Sequence, residues 1–568
     1  MSVAVKKMKW MFFATALLCS LAGCGTPGPD GPADSYGLDF TLPASAETKG
    51  AIVFIVDGVN AEIFENMVRA GELPAIKKYF VDRGLYVRRA VANTPSVTLA
   101  NLTSLATGAF PGHHTITGIN WFDRNRLIWR NYETIAQKNT LDTDHITPTI
   151  YENFPEDTSV SVFFQPHRGA TKFIENWTSA GAPFFFGWYE FVDRLTLFRL
   201  NIVADVARQR NAMPAITAVY LLAPDFKAYE NGVSSEEYVN ALRHTDYQVG
   251  RVMGDLERAG LLDKIYIAMV SDHGMADVEK HFPMYAYLKN DLGLHLSSDR
   301  LWEKTPFEKR MEYYSQFSAV LYGSGDRYAA ICLRRPIEED GRVIGWADWT
   351  HRPDPKHLEN FPIQKPTGWA SLCRPTQMPT GDVTRVNLLE RLIALPAIGA
   401  LAYQPGENIA RVRTRKGEVE FRQPAGRGGA IDYRVTRGTD PLQWEGAVPA
   451  DVLAGKPLTP RQWLEATWDT PYPDLPAQIV AYFRSERRAG DIALFSRGEW
   501  DFNDIHRAGH GALGPVDMHV PLIIAGPGIE KETRDYARTA DLVPTLLELL
   551  DRPLPDYLDG QSILPRRD

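Results

Sequence analysis

Cysteine is scarce in this chain, whose 568 residues contain only four. Their spacing matches no cysteine-based metal site, which excludes that class of centre. Cys19 and Cys24 lie within the N-terminal segment treated below, so Cys332 and Cys373 remain in the body of the chain. In an oxidising compartment these two either form a disulfide or stay free, and the sequence leaves both possibilities open.

The chain also lacks an excess of positive charge. Its formal net charge is −8, and no sustained basic run occurs outside the N-terminus. Nucleic acid is therefore not expected as a structural partner, whereas small phosphorylated molecules remain possible substrates. There is no internal repeat or low-complexity tract, and a hydrophobic content of 44% with 23% charged residues is typical of a globular protein. Length alone suggests about three to four domains, although one large α/β unit with an insertion can absorb it.

A long hydrophobic run is missing as well, even at the N-terminus. Three lysines between residues 6 and 9 precede the apolar stretch Trp10 to Leu18. That stretch is too short to span a bilayer, which needs about 20 apolar residues. A positive start, a short apolar segment and small residues before a cleavage point are typical of an export signal.

The signal ends in Leu21-Ala22-Gly23-Cys24, which resembles the lipobox of bacterial lipoproteins. The resemblance implies that Cys24 is the acylated first residue of the mature protein. We therefore predict a signal peptide over 1–24, a flexible tether over 25–47 and membrane anchoring in the periplasm or at the cell surface. Gly25 provides no aspartate for inner-membrane retention, which favours the outer membrane if the source has two membranes.

Uninterrupted apolar runs of strand length recur along the chain. Runs like these suit strands that are buried on both faces, and they occur at Ala51 to Val56, Ile216 to Leu222, Ile265 to Val270 and Val520 to Ala525. Segments of helical periodicity lie between them, for example 235–260. The alternation predicts an α/β fold with a mostly parallel central sheet flanked by helices. Functional residues are then expected just beyond the carboxyl ends of the strands.

The stretch 283–485 breaks this alternation with prolines, aromatic residues and an expected hairpin from Arg411 to Arg422 that turns at Lys416-Gly417. We interpret it as an insertion or cap on the main sheet. The catalytic domain then comprises 48–282 and 486–568. Apolar runs of strand length resume in its second part at Gly490 to Phe495.

Residue types that bind metal ions follow several of the predicted strands. Asp57 comes directly after the first strand, and carboxylate and imidazole occur together at Asp272-His273 after another. Asp225 follows the strand at 216–222, and His510 lies between two glycines. Such donors suit Zn²⁺ or a similar cation.

Thr98 is the candidate nucleophile. It lies where a loop enters a predicted helix that ends at Gly108, and unpaired N–H groups at a helix start favour a bound anion. A hydroxyl there can bind a metal ion and lose its proton. The competing interpretation is that Thr98 merely caps the helix.

Together these positions resemble the alkaline phosphatase superfamily, most closely its type I phosphodiesterase/nucleotide pyrophosphatase branch. The resemblance covers about residues 50–280 and 488–564, and its motifs follow the family's order. It implies that Thr98 attacks phosphorus and that Asn101 helps to hold a phosphoryl oxygen. It further implies two cation sites, one formed by Asp57, Thr98, Asp272 and His273, and one that includes Asp225 and His510.

One position departs from the family. The family commonly has an aspartate and, four residues later, a histidine, whereas this chain has Asp225 and Tyr229. Three substitutes are open: Tyr229 as a phenolate, His506, or the positive charge of Lys227 in place of a full ion. One or two divalent ions are therefore expected, most simply Zn²⁺, with Mn²⁺ or Ca²⁺ as alternatives.

The predicted function is metal-dependent hydrolysis of phosphate esters through a phospho-threonine intermediate, with phosphodiester or pyrophosphate bonds favoured over monoesters. The substrate would be a phosphorylated small molecule or an envelope component. Alternatives are an envelope phosphoryl transferase and a catalytically weak binding protein on the same fold. The segment around Thr98 has no Cys/Ser-x-Pro-x-Arg pattern, which argues against sulfate esters.

Two aromatic runs remain outside this scheme. They are Phe184 to Tyr189 and Trp346 to Trp349, and each could line a pocket. Aromatic clusters more often belong to a core, and a core position is expected for both.

Overall fold

A computed structural model of the chain describes residues 49–565 except 135–136, 176, 211, 298, 364–377 and 504. The predicted signal, anchor and tether, as well as Cys373, lie outside the described residues. Cys332 is buried. Among the helices that the structure describes, none is both long enough and apolar enough to cross a membrane.

Two large sheets organise the described chain, and their strands are numbered here in chain order. They are β1 (Gly50–Val56), β2 (Gly84–Val91), β3 (Ser159–Val162), β4 (Lys172–Ile174), β5 (Ile216–Leu221), β6 (Ile265–Val270), β7 (Ala319–Ser324), β8 (Tyr328–Leu333), β9 (Ile398–Gly406), β10 (Ile409–Thr414), β11 (Gly417–Arg422), β12 (Asp432–Gly438), β13 (Ile492–Ser496), β14 (His519–Ala525) and β15 (Glu532–Arg538).

The main sheet has eight strands in the order β15-β2-β14-β6-β1-β5-β3-β4. Only β14 runs antiparallel to its neighbours, and the remaining pairs are parallel. Every residue of β1 is buried, as expected for a strand covered on both faces. The structure therefore confirms the predicted α/β class and the strands read from the four apolar runs.

Ten helices of eight residues or more are described, and they lie on the main sheet or beside the second sheet. They are α1 (Ala61–Ala70), α2 (Thr98–Thr107), α3 (Trp177–Phe185), α4 (Tyr189–Arg210), α5 (Ala223–Asn231), α6 (Glu236–Arg258), α7 (Phe307–Tyr314), α8 (Pro460–Thr467), α9 (Leu475–Tyr482) and α10 (Leu542–Leu549). The helix predicted over 235–260 is α6. It begins where the Ser235 side chain accepts a hydrogen bond from the N–H of Tyr238.

The second sheet is antiparallel and has seven strands in the order β7-β8-β13-β9-β10-β11-β12. The hairpin expected between Arg411 and Arg422 is present as β10 and β11. The expected end of the insertion differs from the structure, because β13 pairs with β8 and β9 in this second sheet. The main sheet therefore resumes only at β14, and the apolar run at 490–495 belongs to the inserted unit.

Both aromatic runs are partly core elements, and in the first run Tyr189 is buried while Phe184 packs against the core. Trp349 is buried, and Trp346 lines a cavity of about 890 Å³ together with charged residues of the inserted unit, among them Arg335, Glu338 and Lys356. The first run forms the turn between α3 and α4, where Phe185 is 58% exposed and Trp188 is 54% exposed. The expectation that this run lies in the core is wrong for these two side chains.

Candidate active site

The carboxyl ends of β1, β5 and β6 place acidic residues at one edge of the main sheet. β1 pairs in parallel with both β5 and β6, so the residues that follow these strands lie side by side. Asp57 follows β1, Asp272 follows β6 after Ser271, and Asp225 lies in the first turn of α5 beyond β5. All three carboxyl groups are buried. The topology thus brings together residues separated by more than 200 positions in the chain.

Thr98 reaches this edge from α2. Val97 is the N-cap of that helix, so Thr98 is its first helical residue and the interpretation of Thr98 as a cap is wrong. Its Oγ1 lies 3.0 Å from Nε2 of His273. Thr98 is 9% exposed, while Asp272 and His273 are fully buried, so Thr98 is the least buried of these residues. The first N–H groups of α2 are available to an anion bound beside it.

Two histidines direct their Nε2 atoms toward the same place. Nδ1 of His273 lies 3.0 Å from the carbonyl of Gly274, and Nδ1 of His510 lies 2.8 Å from the carbonyl of Ser96. A carbonyl only accepts hydrogen bonds, so each Nδ1 carries the proton and each Nε2 carries the lone pair. The rings stack with their centroids 3.4 Å apart. This is the ring orientation that second-sphere contacts give to metal-binding histidines.

The donor atoms form two groups, in each of which all ligand atoms lie within 4.8 Å of one another. One group contains Asp57, Asp272 and His273, and the other contains Asp225, His273 and His510. Nε2 of His273 lies 3.2 Å from Oδ1 of Asp57 and 3.4 Å from Oδ2 of Asp272. His273 is therefore common to both groups.

Four buried polar atoms in these groups have no hydrogen-bond partner among the described residues: Oδ1 of Asp57, Oδ1 of Asp225, Oδ2 of Asp272 and Nε2 of His510. Leaving one such group unpaired costs about 1–3 kcal/mol, so four in one place require a common partner. Oxygen and imidazole donors at this spacing fit a divalent cation. The residues present therefore fit the ions that the sequence predicts.

The pKa shifts of the candidate ligands also favour a bound divalent cation. Burial and the neighbouring Asp57 raise the pKa of Asp272 well above its usual range. Burial, followed by repulsion from Asp57 and Asp326, raises the pKa of Asp225 in the same way. Burial and the adjacent His273 lower the pKa of His510 well below that of free histidine. A divalent cation suits all three groups. It would stabilise the ionised form of the two carboxyl groups, and it binds the neutral imidazole that the lowered pKa of His510 favours.

Asn101 has a different environment from the one the resemblance implies. Its Nδ2 lies within hydrogen-bonding distance of the carbonyls of Asn93, Pro95 and Val97, at 3.1, 3.0 and 3.2 Å. Its Oδ1 accepts from the backbone N–H of Asn93 at 2.7 Å. An amide has two donor hydrogens, and both are engaged within this loop. In this arrangement Asn101 holds the loop that precedes Thr98, and its role at a phosphoryl oxygen remains a prediction.

Tyr229 lies one helical turn after Asp225 on α5 and faces the second group. Its ring centroid is 5.7 Å from that of His510 and 4.6 Å from that of His506. Burial, together with repulsion from Asp326 and Asp225, raises the pKa of the Tyr229 hydroxyl well above its usual value. His506 is hydrogen-bonded through Nδ1 to Asp326.

Lys227 is excluded as a substitute for a cation. Its Nζ donates to the carbonyl of Gly187 at 3.4 Å and lies 3.6 Å from a carboxylate oxygen of Glu190. Gly187 lies in the turn between α3 and α4, and Glu190 lies in the first turn of α4, so the ammonium group is held by these two segments. The idea that its charge replaces an ion is therefore wrong.

Two supports of the site were not predicted from the sequence. The hydroxyl of Tyr220 on β5 donates to Oδ2 of Asp57. The turn between β7 and β8 packs on His510, whose N–H donates to the carbonyl of Gly325 at 2.8 Å. A Cβ atom at Gly325 would lie only 2.6 Å from the His510 ring, and its φ of +65° also requires glycine. The Gly-Ser-Gly-Asp pattern at 323–326 is a turn signal that could have identified this hairpin.

Replacing Tyr229 with histidine tests how the second group is completed. We expect Y229H to raise the content of bound cation per chain, because an imidazole one turn after Asp225 adds a ligand. The measurement is metal content by mass spectrometry after dialysis. Y229F is the matched control, and it should leave the content unchanged because it keeps the ring and adds no ligand. A lower metal content in Y229F would instead identify the phenol oxygen as a ligand.

Comparison with known proteins agrees with this geometry. Residues 51–331 match the family model described as Type I phosphodiesterase / nucleotide pyrophosphatase. Ectonucleotide pyrophosphatase/phosphodiesterase family member 1 of Mus musculus is 25% identical over 258 residues, which are 44% of this chain and 26% of that protein. Venom phosphodiesterase 2 of Crotalus adamanteus is 24% identical over 243 residues, which are 42% of this chain and 28% of that protein. The chain thus matches about a quarter of the length of these curated relatives.

Solved structures show the same fold. Human ectonucleotide pyrophosphatase / phosphodiesterase 5 superposes with a TM-score of 0.51 at 13% identity, covering 90% of this chain and 97% of that one. The murine protein gives a TM-score of 0.50 at 14% identity, covering 89% and 96%. Residues 51–331 therefore carry the sequence pattern of the type I phosphodiesterase / nucleotide pyrophosphatase family, and about nine-tenths of the chain shares its fold with these two solved structures.

Proposed function

We propose that this chain is a metal-dependent hydrolase of phosphodiester or pyrophosphate bonds that works through a phospho-threonine intermediate on Thr98. The observation that carries the proposal is the position of the Thr98 hydroxyl. Its Oγ1 lies 3.0 Å from Nε2 of His273, at an edge where buried atoms of Asp57, Asp225, Asp272 and His510 have no hydrogen-bond partner among the described residues. The family match over residues 51–331 supports the same reaction class.

Asp57, Thr98, Asp272 and His273 would hold one cation, and Asp225 and His510, with His273 beside them, would hold the other. Bound there, divalent ions would neutralise charge on the phosphoryl group and favour ionisation of the Thr98 hydroxyl. The specific ion is part of the proposal, with Zn²⁺ first and Mn²⁺ or Ca²⁺ as alternatives, because the donors are mixed oxygen and imidazole.

The reaction proceeds in two displacements at phosphorus. Oγ1 of Thr98 attacks the phosphorus atom in line with the leaving oxygen, the P–O bond to the leaving group breaks, and the departing oxygen is protonated. Water then attacks the phospho-threonine and releases Thr98 with its hydroxyl restored. N–H groups in the first turn of α2 would bind phosphoryl oxygens, whose negative charge the helix start stabilises. Most of the rate enhancement would come from such positioning and charge neutralisation.

The proposal is tested on the purified full chain with bis-p-nitrophenyl phosphate. We expect release of p-nitrophenol that is lost after chelation and restored by Zn²⁺, Mn²⁺ or Ca²⁺, because the bound cation would oppose the charge of the phosphoryl group. p-Nitrophenyl phosphate and p-nitrophenyl sulfate, assayed in parallel, measure monoester and sulfate preference. Activity that is insensitive to chelation, or faster on the sulfate, would refute a metal-dependent phosphodiesterase.

We also propose that the protein is exported and held at a membrane by a lipid on Cys24. The support is the N-terminal sequence alone, with its lysines, its short apolar segment and the Leu-Ala-Gly-Cys pattern. The enzyme would then act on phosphorylated small molecules or envelope components outside the cytoplasm.

A further inference from the structure

The turn between α3 and α4, together with the outer face of α4, carries an apolar surface that the proposed reaction does not use. We call this surface the apolar stripe, and it consists of Phe185, Trp188, Phe191, Leu195 and Phe198. Phe185, Trp188 and Phe198 are 58, 54 and 50% exposed, and the other two side chains are partly exposed. The last four residues are spaced by three and four positions, so they lie on one side of the helix.

The opposite side of α4 already supplies the contacts that fix the helix to the main sheet. Val192, Leu200 and Val203 on that side are at most 1% exposed. A surface helix normally presents charged and polar residues on its other side. The outer side of α4 does carry charged residues such as Arg194 and Asp205, but Phe191, Leu195 and Phe198 add apolar surface between them. Apolar and cationic residues on one exposed side are typical of a helix that lies against a membrane interface.

The composition of the stripe matches a bilayer surface. Tryptophan and phenylalanine are characteristic of the membrane interface, where their rings lie among the lipid headgroups. Cationic groups accompany them, since α4 contains four arginines, and Arg194 places its guanidinium 4.6 Å from the centre of the Phe191 ring. Of the three acidic residues of α4, Asp193 is buried, Glu190 lies 3.6 Å from Lys227 and Asp205 lies 3.7 Å from Arg208. With four arginines against three acidic residues, α4 carries a net positive charge in a chain of net charge −8, which suits anionic lipid.

Residues next to the apolar stripe pack against α5, the helix that carries Asp225. The ring centroids of Phe184 and Tyr189 both lie 4.9 Å from that of Phe226, the residue next to Asp225. Tyr189 donates to Glu230 at 2.9 Å, and the carboxylate of Asp193 accepts from the N–H groups of Leu222 and Ala223 at the start of α5. Contact of the stripe with a surface would thus fix the orientation of α5 and of the site beside it.

We propose that the apolar stripe docks the protein onto a phospholipid bilayer containing anionic lipid, which places the site at the level of the headgroups. The tether permits this orientation. The 24 residues between Cys24 and Lys49 can extend to about 80 Å, so an anchored chain can turn this side toward the bilayer. The docking itself does not depend on the proposed reaction.

The test measures where Trp188 lies. Because a lipid on Cys24 would retain any variant on vesicles, the readout is depth of insertion and not binding. The full chain is reconstituted in vesicles of phosphatidylcholine and phosphatidylglycerol that contain brominated lipid, and quenching of tryptophan fluorescence is recorded. We expect W188F to lower the quenching by at least about two-fold, because Trp188 sits among the headgroups while phenylalanine preserves the docking.

The matched control is W500F, which removes a partly exposed tryptophan from a strand outside the stripe and should leave the quenching unchanged. Equal quenching in the wild-type and W188F chains would overturn the proposal.

A second variant, F185S/W188S/F198S, is compared with wild type by sedimentation in detergent. A wild-type dimer that dissociates in this variant would assign the stripe to a second copy of the chain and would also overturn the proposal. Hydrolysis of soluble bis-p-nitrophenyl phosphate is measured in the same samples, so failure of docking and failure of the proposed reaction are distinguished.

Discussion

Replacing Thr98 with alanine is expected to lower the turnover of bis-p-nitrophenyl phosphate by about 10³-fold or more, because it removes the attacking oxygen of a covalent mechanism. The substitution should not disturb the fold. Thr98 is the first residue of α2, its hydroxyl contacts only His273 among the described hydrogen bonds, and alanine is well tolerated in a helix. Bound metal should change little, because Asp57, Asp272 and His273 remain.

T98S is the matched control, and it should retain turnover within about ten-fold because serine presents the same nucleophilic atom. Acid quenching during turnover, followed by peptide mass spectrometry, should find phosphate on the peptide that contains Thr98 in the wild type and none in T98A. Undiminished turnover in T98A, with normal metal content, would place the nucleophile elsewhere.

Replacing His273 with alanine should remove most of the bound metal and lower turnover by a comparable factor, about 10³-fold or more. The reason is geometric. His273 is the residue common to both groups of ligands, and its Nε2 lies 3.2 Å from Asp57, 3.4 Å from Asp272 and 3.0 Å from Thr98. Its loss leaves the buried carboxyl groups with fewer donors around a cation, and protonation of those carboxyls then competes with metal binding.

H281A is the matched control for this prediction. His281 also contacts a carboxylate, with Nδ1 2.8 Å from Oδ1 of Asp501, but its side chain is 32% exposed and belongs to neither ligand group. It should keep full metal content and turnover. Metal content is measured by mass spectrometry, and thermal unfolding checks that both variants are folded. Full metal content in H273A would contradict the shared role of this histidine.

Much of the fold was predictable because strands buried on both faces are continuous apolar runs, and four such runs were identified correctly. The same property explains the error at the end of the inserted unit. All five residues of Ile492–Ser496 are buried, as are all residues of β1. A buried strand of the second sheet therefore has the same apolar pattern in the sequence as a buried strand of the main sheet. Pairing partners, which the run itself does not specify, decided the boundary.

The candidate site was predictable to the level of residue type and chain order. Asp57, Thr98, Asp272 and His273 converge as expected, because parallel strands present their carboxyl ends at one edge. Side-chain direction was not predictable. Both donor hydrogens of Asn101 are used within its own loop, and Lys227 turns toward Glu190 and away from the ligand groups.

The sequence by itself determined the chemistry available to this protein: a threonine at a helix start, acidic residues and histidines after buried strands, and a tyrosine where a further imidazole ligand is common. Only the tertiary structure decided which of these groups meet. It brought His510 against His273, gave Asp57 its bond from Tyr220, and left Phe185 and Trp188 exposed beside the helix that carries Asp225. The physical reason is that local sequence fixes periodicity and residue type, whereas burial and unpaired atoms arise from contacts between distant segments.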